Sequence, residues 1–203
     1  MDWRKQFSKP EGPLGWLVGH AMAMKNRERS EFVFSVLELR PQDRVLEIGF
    51  GPGTDLVRAS QTASYVAGID HSDVMVKQAL QRNARAVREG RVEIQLGSAN
   101  KLPFTDAEFD KVFAINSAQF WKDSVETLKE IGRVLKPGGS ITLAIQPRQK
   151  GATEDHAYQA GRGLADAMKK AGFSDIHSEA RQMQPVSTVC VLARKVSANG
   201  TSA

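Results

Sequence analysis

Arg44-Val-Leu-Glu-Ile-Gly-Phe-Gly-Pro-Gly-Thr-Asp55 is a short apolar run that ends in three alternating glycines. The run from Arg44 to Ile48 predicts a buried strand, and the residues from Thr54 onward favour a helix. Glycine adopts backbone angles that a side chain forbids, so the turn between these elements can lie close to a ligand. A strand, a glycine turn and a helix start together predict a nucleotide site in an open α/β sheet.

The spacing of the glycines separates two classes of nucleotide ligand. A dinucleotide-binding turn needs G-x-G-x-x-G, but Thr54 stands at the place of the third glycine. The acidic Glu47 precedes the turn, where its charge opposes a pyrophosphate and suits a cation. The stretch resembles the E/D-x-G-x-G-x-G motif of class I S-adenosylmethionine-dependent methyltransferases. That resemblance implies that the methionine end of the cofactor lies against Glu47, Gly49, Gly51 and Gly53.

A second strand, Tyr65 to Ile69, is predicted to end at Asp70. An acid about 20 residues after the turn can accept both ribose hydroxyl protons, in NAD binders as in S-adenosylmethionine binders. The following residues, from which we predict one helix over 72–88, resemble the family's GID-x-S-x-x-M phrase. The resemblance implies that His71 and Met75 lie near the adenine, although Met75 also suits plain core packing.

The segment after the third predicted strand, 91–96, is similar to the family's GDA-x-x-LPF-x-D-x-x-FD. It departs from that pattern at Ser98, where the family has an aspartate that accepts a hydrogen bond from the adenine amino group. A serine hydroxyl can still accept this bond, but without charge. We therefore expect Ser98 and the Ala99 backbone to hold the adenine.

The fourth predicted strand, 110–115, opens into Asn116-Ser-Ala-Gln-Phe-Trp121. Polar side chains just beyond a central strand, at the switch point of the sheet, are where chemistry is expected. We predict that Asn116 lies beside the cofactor and that Gln119 and Trp121 contact the substrate; Trp121 is equally compatible with the core of the next helix. The family's Asn/Asp-Pro-Pro-Tyr motif for amide and base amino substrates does not occur here.

The remaining pattern completes an α/β fold. The next helix is predicted to end at Leu135, and Lys136-Pro-Gly-Gly139 resembles the family's turn into a fifth strand, 140–145. A helix over 156–171 and two strands follow. The resemblance implies a Rossmann-like open sheet of about seven strands, mostly parallel with an antiparallel last strand, and with helices on both faces.

We predict an N-terminal lid or helical extension over residues 1–30, a methyltransferase domain over 31–195 and a flexible tail over 196–203. Aromatic side chains on the lid would exclude water from the substrate and supply apolar walls. His20 is the candidate base for proton removal, because imidazole titrates near neutrality. The lid residues assigned to substrate binding are Trp3, Phe7 and Trp16.

The bulk properties are those of a soluble globular domain: 203 residues, 41% hydrophobic, 25% charged, with a net charge of +5. A single cysteine and the absence of a signal peptide or apolar span lead us to expect a cytoplasmic protein. The basic residues are scattered and no zinc spacing occurs, so we expect neither a nucleic-acid partner nor a metal. The sequence leaves the oligomeric state open.

The resemblance implies an enzyme that transfers the methyl group of S-adenosylmethionine to an O, N, C or S nucleophile of a small molecule. Within the family the match is closest in style to the ubiquinone/menaquinone-biosynthesis enzymes. Three alternatives stay open: a non-catalytic S-adenosylmethionine-binding module, an NAD-dependent oxidoreductase and an RNA methyltransferase. Thr54 and Glu47 count against the oxidoreductase.

Overall fold

The structure is a computed structural model that describes residues 27–197. Its helices and strands, in chain order, are α1 (Arg27–Leu37), β1 (Arg44–Ile48), α2 (Thr54–Ala59), β2 (Tyr65–Asp70), α3 (Asp73–Arg82), α4 (Ala84–Arg88), β3 (Val92–Leu96), β4 (Phe109–Ile115), α5 (Ser124–Val134), β5 (Leu135–Ile145), α6 (Glu154–Lys170), β6 (Phe173–Arg181) and β7 (Thr188–Lys195). A short 3-10 helix, Ala118–Phe120, lies between β4 and α5. Each helix among these residues is too short or too polar to cross a membrane.

The seven strands form one sheet in the order β3-β2-β1-β4-β5-β7-β6. Strands β1 to β5 pair in parallel, whereas β7 runs antiparallel between β5 and β6. The predicted fold class, including the antiparallel last strand, is confirmed. Because parallel strands point the same way, the carboxyl ends of β1 to β5 lie along one edge of the sheet.

Helices cover both faces of the sheet, as predicted. Successive residues of β1 point to opposite sides, and both Val45 and Leu46 are fully buried. Val45 packs in the apolar cluster under α1, α2 and α3, and Leu46 in the cluster under α5 and α6. A strand that is buried on both faces has a nearly continuous apolar sequence, and for this reason the sequence predicts β1.

The single helix expected over 72–88 is wrong, because the structure breaks it into α3 and α4 at Asn83. The buried Asn83 side chain donates to the carbonyl oxygens of Gly53 and Ala79, each at 3.0 Å. An asparagine amide that bonds to backbone carbonyls competes with helical hydrogen bonding. The break therefore ties α3 to the glycine turn.

The boundary between α5 and β5 also differs from the prediction. Helix α5 begins at Ser124, where the Asp123 carboxylate accepts from two backbone N–H groups at 3.0 Å, and it ends before Leu135. Leu135 already pairs with Phe109 across a register shift in β4 and β5. The strand thus begins before Lys136-Pro-Gly-Gly139 instead of at Ser140. These four residues form a bulge, because Leu135 before them and Ser140 after them both pair with β4.

Candidate functional site

Four loops that carry the predicted site residues meet at the carboxyl edge of the sheet. The turn over 49–53 follows β1, His71 follows β2, Ser98 follows β3 and Asn116 follows β4. The strand register brings them together, since Ile48 pairs with Ile69 and Asp70 pairs with Leu96. The residues that a nucleotide would need are therefore neighbours in space.

Asp70 is held rigidly at the tip of β2. Its side chain is 6% exposed, and its two carboxylate oxygens accept from the backbone N–H groups of Gly51 and Ser72, each at 2.9 Å. Burial raises the pKa of Asp70, and the N–H donors and the nearby His71 oppose that rise. Each oxygen keeps a lone pair for a further donor, as two ribose hydroxyls would require.

The three glycines of the turn have different surroundings. A side chain at Gly49 would come within 2.4 Å of Ser117, and one at Gly53 within 2.6 Å of Ala79. A side chain at Gly51, by contrast, would meet nothing within 4 Å. Gly49 and Gly53 thus let neighbouring elements pack closely, and Gly51 leaves open space of the kind that a bound ligand fills.

Glu47 lies just below this turn, at the end of β1, and is 1% exposed. Its Oε2 atom has no hydrogen-bond partner within residues 27–197. Burial raises its pKa well above the ordinary value, and the negative charges of Asp55 and Asp70 raise it further. A buried carboxylate oxygen without a donor is costly, and a ligand with a cationic donor would satisfy it. The site therefore fits the ammonium-bearing methionine end of S-adenosylmethionine.

The residues expected near the adenine are divided between core and surface. Met75 is 2% exposed and packs in the apolar cluster beneath α3, with Ala79 beside it. Ser98 is exposed, and its carbonyl oxygen accepts from the Lys101 N–H at 3.2 Å. Ala99 is half-buried. The His71 side chain is 48% exposed, with Nδ1 3.8 Å from Asp70 Oδ1.

The loop after β4 is fixed to the end of β5. Asn116 has a left-handed backbone, with φ 50°, and its Oδ1 accepts from the Gln146 N–H at 2.7 Å. Gln119 is exposed, and Trp121 is half-buried against the core. Between them lies Phe120, which is 50% exposed and which sequence reasoning missed. The signal for it in the sequence was an aromatic residue beside polar side chains just beyond a central strand.

The structure also adds Arg29 and Arg148 to this edge. Both donate to the side-chain oxygen of Gln146, which directly follows β5. No local spacing in the sequence connects these residues. By contrast, Trp3, Phe7, Trp16 and His20 lie outside the described residues, so their roles stay predictions, as does the lid to which they were assigned.

Comparisons with known proteins agree with this geometry. A family model described as a methyltransferase domain matches residues 46–143. The uncharacterized methyltransferase YdaC of Bacillus subtilis is 32% identical over 181 residues, which cover 88% of this chain and 98% of that protein. The ubiquinone/menaquinone biosynthesis C-methyltransferase UbiE of Geotalea daltonii is 32% identical over 121 residues, 58% of this chain. The chain spans 52% of the length of that enzyme.

A solved structure of a SAM-dependent methyltransferase from Aquifex aeolicus has the same fold. It superposes with a TM-score of 0.69 at 22% identity, and the match covers 89% of this chain and 98% of the other. The sequence relatives and the order of the strands agree, and the chain belongs to the class I S-adenosylmethionine-dependent methyltransferases. The methyltransferase prediction is confirmed, and the family decides against the oxidoreductase.

Proposed function

We propose that this protein binds S-adenosylmethionine along the edge formed by β1, β2 and β3 and methylates a small-molecule nucleophile positioned beyond β4. The observation that carries the proposal is the pairing of Glu47, whose buried Oε2 lacks a partner, with the open space at Gly51. A cofactor with a cationic amino-acid end fits both. UbiE, a C-methyltransferase, and similar relatives support a small-molecule acceptor.

Each part of the edge has its own task in binding the cofactor. Glu47 accepts from the ammonium group, and Asp70 accepts from the ribose hydroxyls while Gly51 and Ser72 keep its carboxylate in place. Ser98 and Ala99 hold the adenine. The cofactor supplies an activated methyl group, so the protein mainly orients the reactants and excludes water.

The acceptor is held beyond β4 by Gln119, Phe120 and Trp121. We propose that residues 1–26 cover this region, with Trp3, Phe7 and Trp16 as apolar walls; residues 27–30, which the sequence assigned to the lid, belong to α1. Closing the site over the acceptor would exclude water from the transfer. His20 is the proposed base for an acceptor that must lose a proton, since imidazole titrates near neutrality.

Calorimetric titration of the purified chain tests the cofactor. We expect S-adenosylmethionine and S-adenosylhomocysteine to bind and NADH not to bind. Replacing Asp70 by alanine removes hydrogen bonds to charge that contribute about 1.5–3 kcal/mol each, so affinity should fall at least about 10-fold. Asp73→Ala is the matched control, because Asp73 lies three residues further along, at the start of α3, with its carboxylate exposed.

A chain that bound only NADH would contradict the proposal, and so would equal losses of affinity in the two variants. If S-adenosylmethionine bound but no small molecule in an acceptor screen were methylated, the non-catalytic module would become the better interpretation. Circular dichroism of the Asp70 variant separates a loss of affinity from a loss of fold, since Asp70 also bonds to the backbone of the glycine turn.

A further inference from the structure

A cationic cluster of the buried Arg29 and the exposed Arg148 lies at the carboxyl end of β5. Arg29, in the first turn of α1, is 4% exposed, and its Nη1 donates to Gln146 Oε1 at 3.3 Å. Arg148, at the surface, donates to the same oxygen through Nε at 3.2 Å and Nη2 at 3.0 Å. Gln146 is held in this orientation because its Nε2 donates to the carbonyl oxygens of Gln184 and Val186.

The charge of Arg29 is incompletely balanced. Its hydrogen-bond acceptor, Gln146 Oε1, is a neutral amide oxygen, and the acid that acts on Arg29 is Asp55, which forms no salt bridge with it among residues 27–197. Burial and the like charge of Arg148 lower the pKa of Arg29 to about 10, against a raising effect from Asp55. Arg29 therefore remains charged at neutral pH while buried.

Arg29 also has an unused donor. Its Nε atom is buried and has no hydrogen-bond partner within the described chain. The Nε edge of a guanidinium group matches a carboxylate or phosphate, which accepts two parallel hydrogen bonds. An unpaired buried N–H costs free energy until such an acceptor arrives.

The charges at this edge of the sheet differ in sign between its two ends, and the charge of Asp55 acts on both Glu47 and Arg29. Glu47 is the last residue but one of β1 and Asp70 is the last residue of β2, and they suit a cofactor whose reactive end carries a sulfonium and an ammonium group. Arg29 and Arg148 meet beyond β5, past the loop that follows β4. A positively charged ligand would therefore bind beside Glu47 and Asp70, and a negatively charged one beside Arg29 and Arg148.

We propose, on the basis of the proposed function, that Arg29 and Arg148 form a recognition site for an anionic group, a carboxylate or a phosphate, of the methyl acceptor. The acceptor is then a small acid or phosphate ester. Arg29 binds the anion and, with Gln146 behind it, sets the position of the acceptor relative to Asn116 and the loop after β4.

Nuclear magnetic resonance of the arginine Nε–H signals tests this directly. The probes are sodium sulfate, phosphate and acetate, added at constant ionic strength to the full-length chain saturated with S-adenosylhomocysteine. The Arg29 signal is identified by its loss in Arg29→Lys. We expect it to shift saturably with sulfate or phosphate, whereas the signal of Arg88, an exposed arginine of α4, follows ionic strength only.

Two results would overturn the proposal. If the Arg29 signal does not respond to any anion, the cluster is not an anion site. If S-adenosylhomocysteine itself shifts the signal and blocks sulfate, while 5′-methylthioadenosine without the amino-acid end does neither, the anion is the cofactor's own carboxylate. Failure of cofactor binding would be seen separately, since the sulfate titration also runs on the cofactor-free protein.

A screen of paired acceptors, each an acid and its uncharged ester, gives a kinetic test. The acid should be methylated in preference to its ester, and Arg29→Gln should lower kcat/KM for it about 10- to 100-fold, mainly through KM. Binding of S-adenosylmethionine should change little in that variant, and Arg88→Gln should change neither quantity. Preference for the uncharged ester would contradict the assignment.

Discussion

At the residue scale, the unusual feature is a group of acids in which the negative charges of Asp55 and Asp70 act on the buried Glu47. Burial raises the pKa of Glu47, Asp55 and Asp70. Asp55 Oδ1, like Glu47 Oε2, has no hydrogen-bond partner within residues 27–197. Such groups lower the stability of the protein by itself and favour a state in which a cation has bound.

The raised pKa of Glu47 predicts how stability depends on pH. Between its ordinary value of 4.5 and its raised value, the folded chain binds more protons than the unfolded chain. The free energy of unfolding should therefore fall as pH rises through that window. Urea denaturation of the cofactor-free protein from about pH 5 to 8 measures the slope.

In the variant Glu47→Gln the free energy of unfolding should fall less steeply with pH, because glutamine cannot ionise. The remaining slope comes from Asp55 and Asp70. The matched control is Glu126→Gln, which removes a carboxylate that is 63% exposed on α5 and should leave the slope unchanged. A slope in Glu47→Gln equal to that of the native chain would show that Glu47 titrates as an ordinary surface acid.

At the scale of elements, the glycine turn joins β1, α2 and α3 into one unit. Gly51 N–H donates to Asp70 at the end of β2, and the Gly53 carbonyl accepts from Asn83 at the end of α3. Ser117, in the loop after β4, donates to the Ile48 carbonyl at 2.8 Å. The turn is thus held from three sides before any ligand binds.

Alanine substitutions should separate the binding glycine from the packing glycine. Gly51→Ala places a methyl group in open space at φ 54°, so it should cost about 1–2 kcal/mol of stability and weaken S-adenosylmethionine binding. Gly53→Ala adds a clash with the Ala79 backbone at 2.9 Å, so the free energy of unfolding should fall by about 3 kcal/mol. Thermal denaturation and calorimetry measure the two effects.

Gly90→Ala provides the control for backbone strain. Gly90 has φ 69° and a side chain there would also meet open space, but it precedes β3, at the opposite edge of the sheet. It should lose stability as Gly51→Ala does and keep its affinity for the cofactor. Equal affinities in Gly51→Ala and Gly90→Ala would show that the space at Gly51 is not used by the ligand.

At the scale of the whole molecule, the net charge is +5, and several basic side chains of the described helices lie in ion pairs. Ion pairs such as Arg27–Glu31, Arg85–Glu89 and Lys129–Glu126 neutralise much of the basic surface. Nucleic-acid binding needs a continuous basic face that neutralises several phosphates at once. The distribution favours the small-molecule interpretation over an RNA substrate.

Fluorescence anisotropy with labelled RNA at about 50 and 200 mM salt tests that interpretation. We expect only the weak association typical of non-specific binding, with a Kd no tighter than about 1 μM at the higher salt. An RNA methyltransferase would instead bind in the nanomolar range and lose affinity steeply with salt. Such a result would replace the small-molecule acceptor with RNA.

The sequence by itself determined which segments along the chain are strands, the glycine turn and the position of Asp70. Each of these depends on short-range patterns: an apolar run for a buried strand, glycines where φ is positive, and an acid at a strand end. Gly49, Gly51 and Gly53 all have positive φ in the structure. The fold class followed because such patterns repeat along the chain in one order.

Only the tertiary structure decided the features that depend on contacts between distant segments. Asn83 breaks a helix because the Gly53 carbonyl lies within reach, and Leu135 joins a strand because Phe109 pairs with it. The cationic cluster needs Arg29 and Gln146, 117 residues apart, to meet at one edge of the sheet. Local propensity does not encode this contact, because it forms only when the packing of helices on the parallel sheet brings distant segments of the chain together.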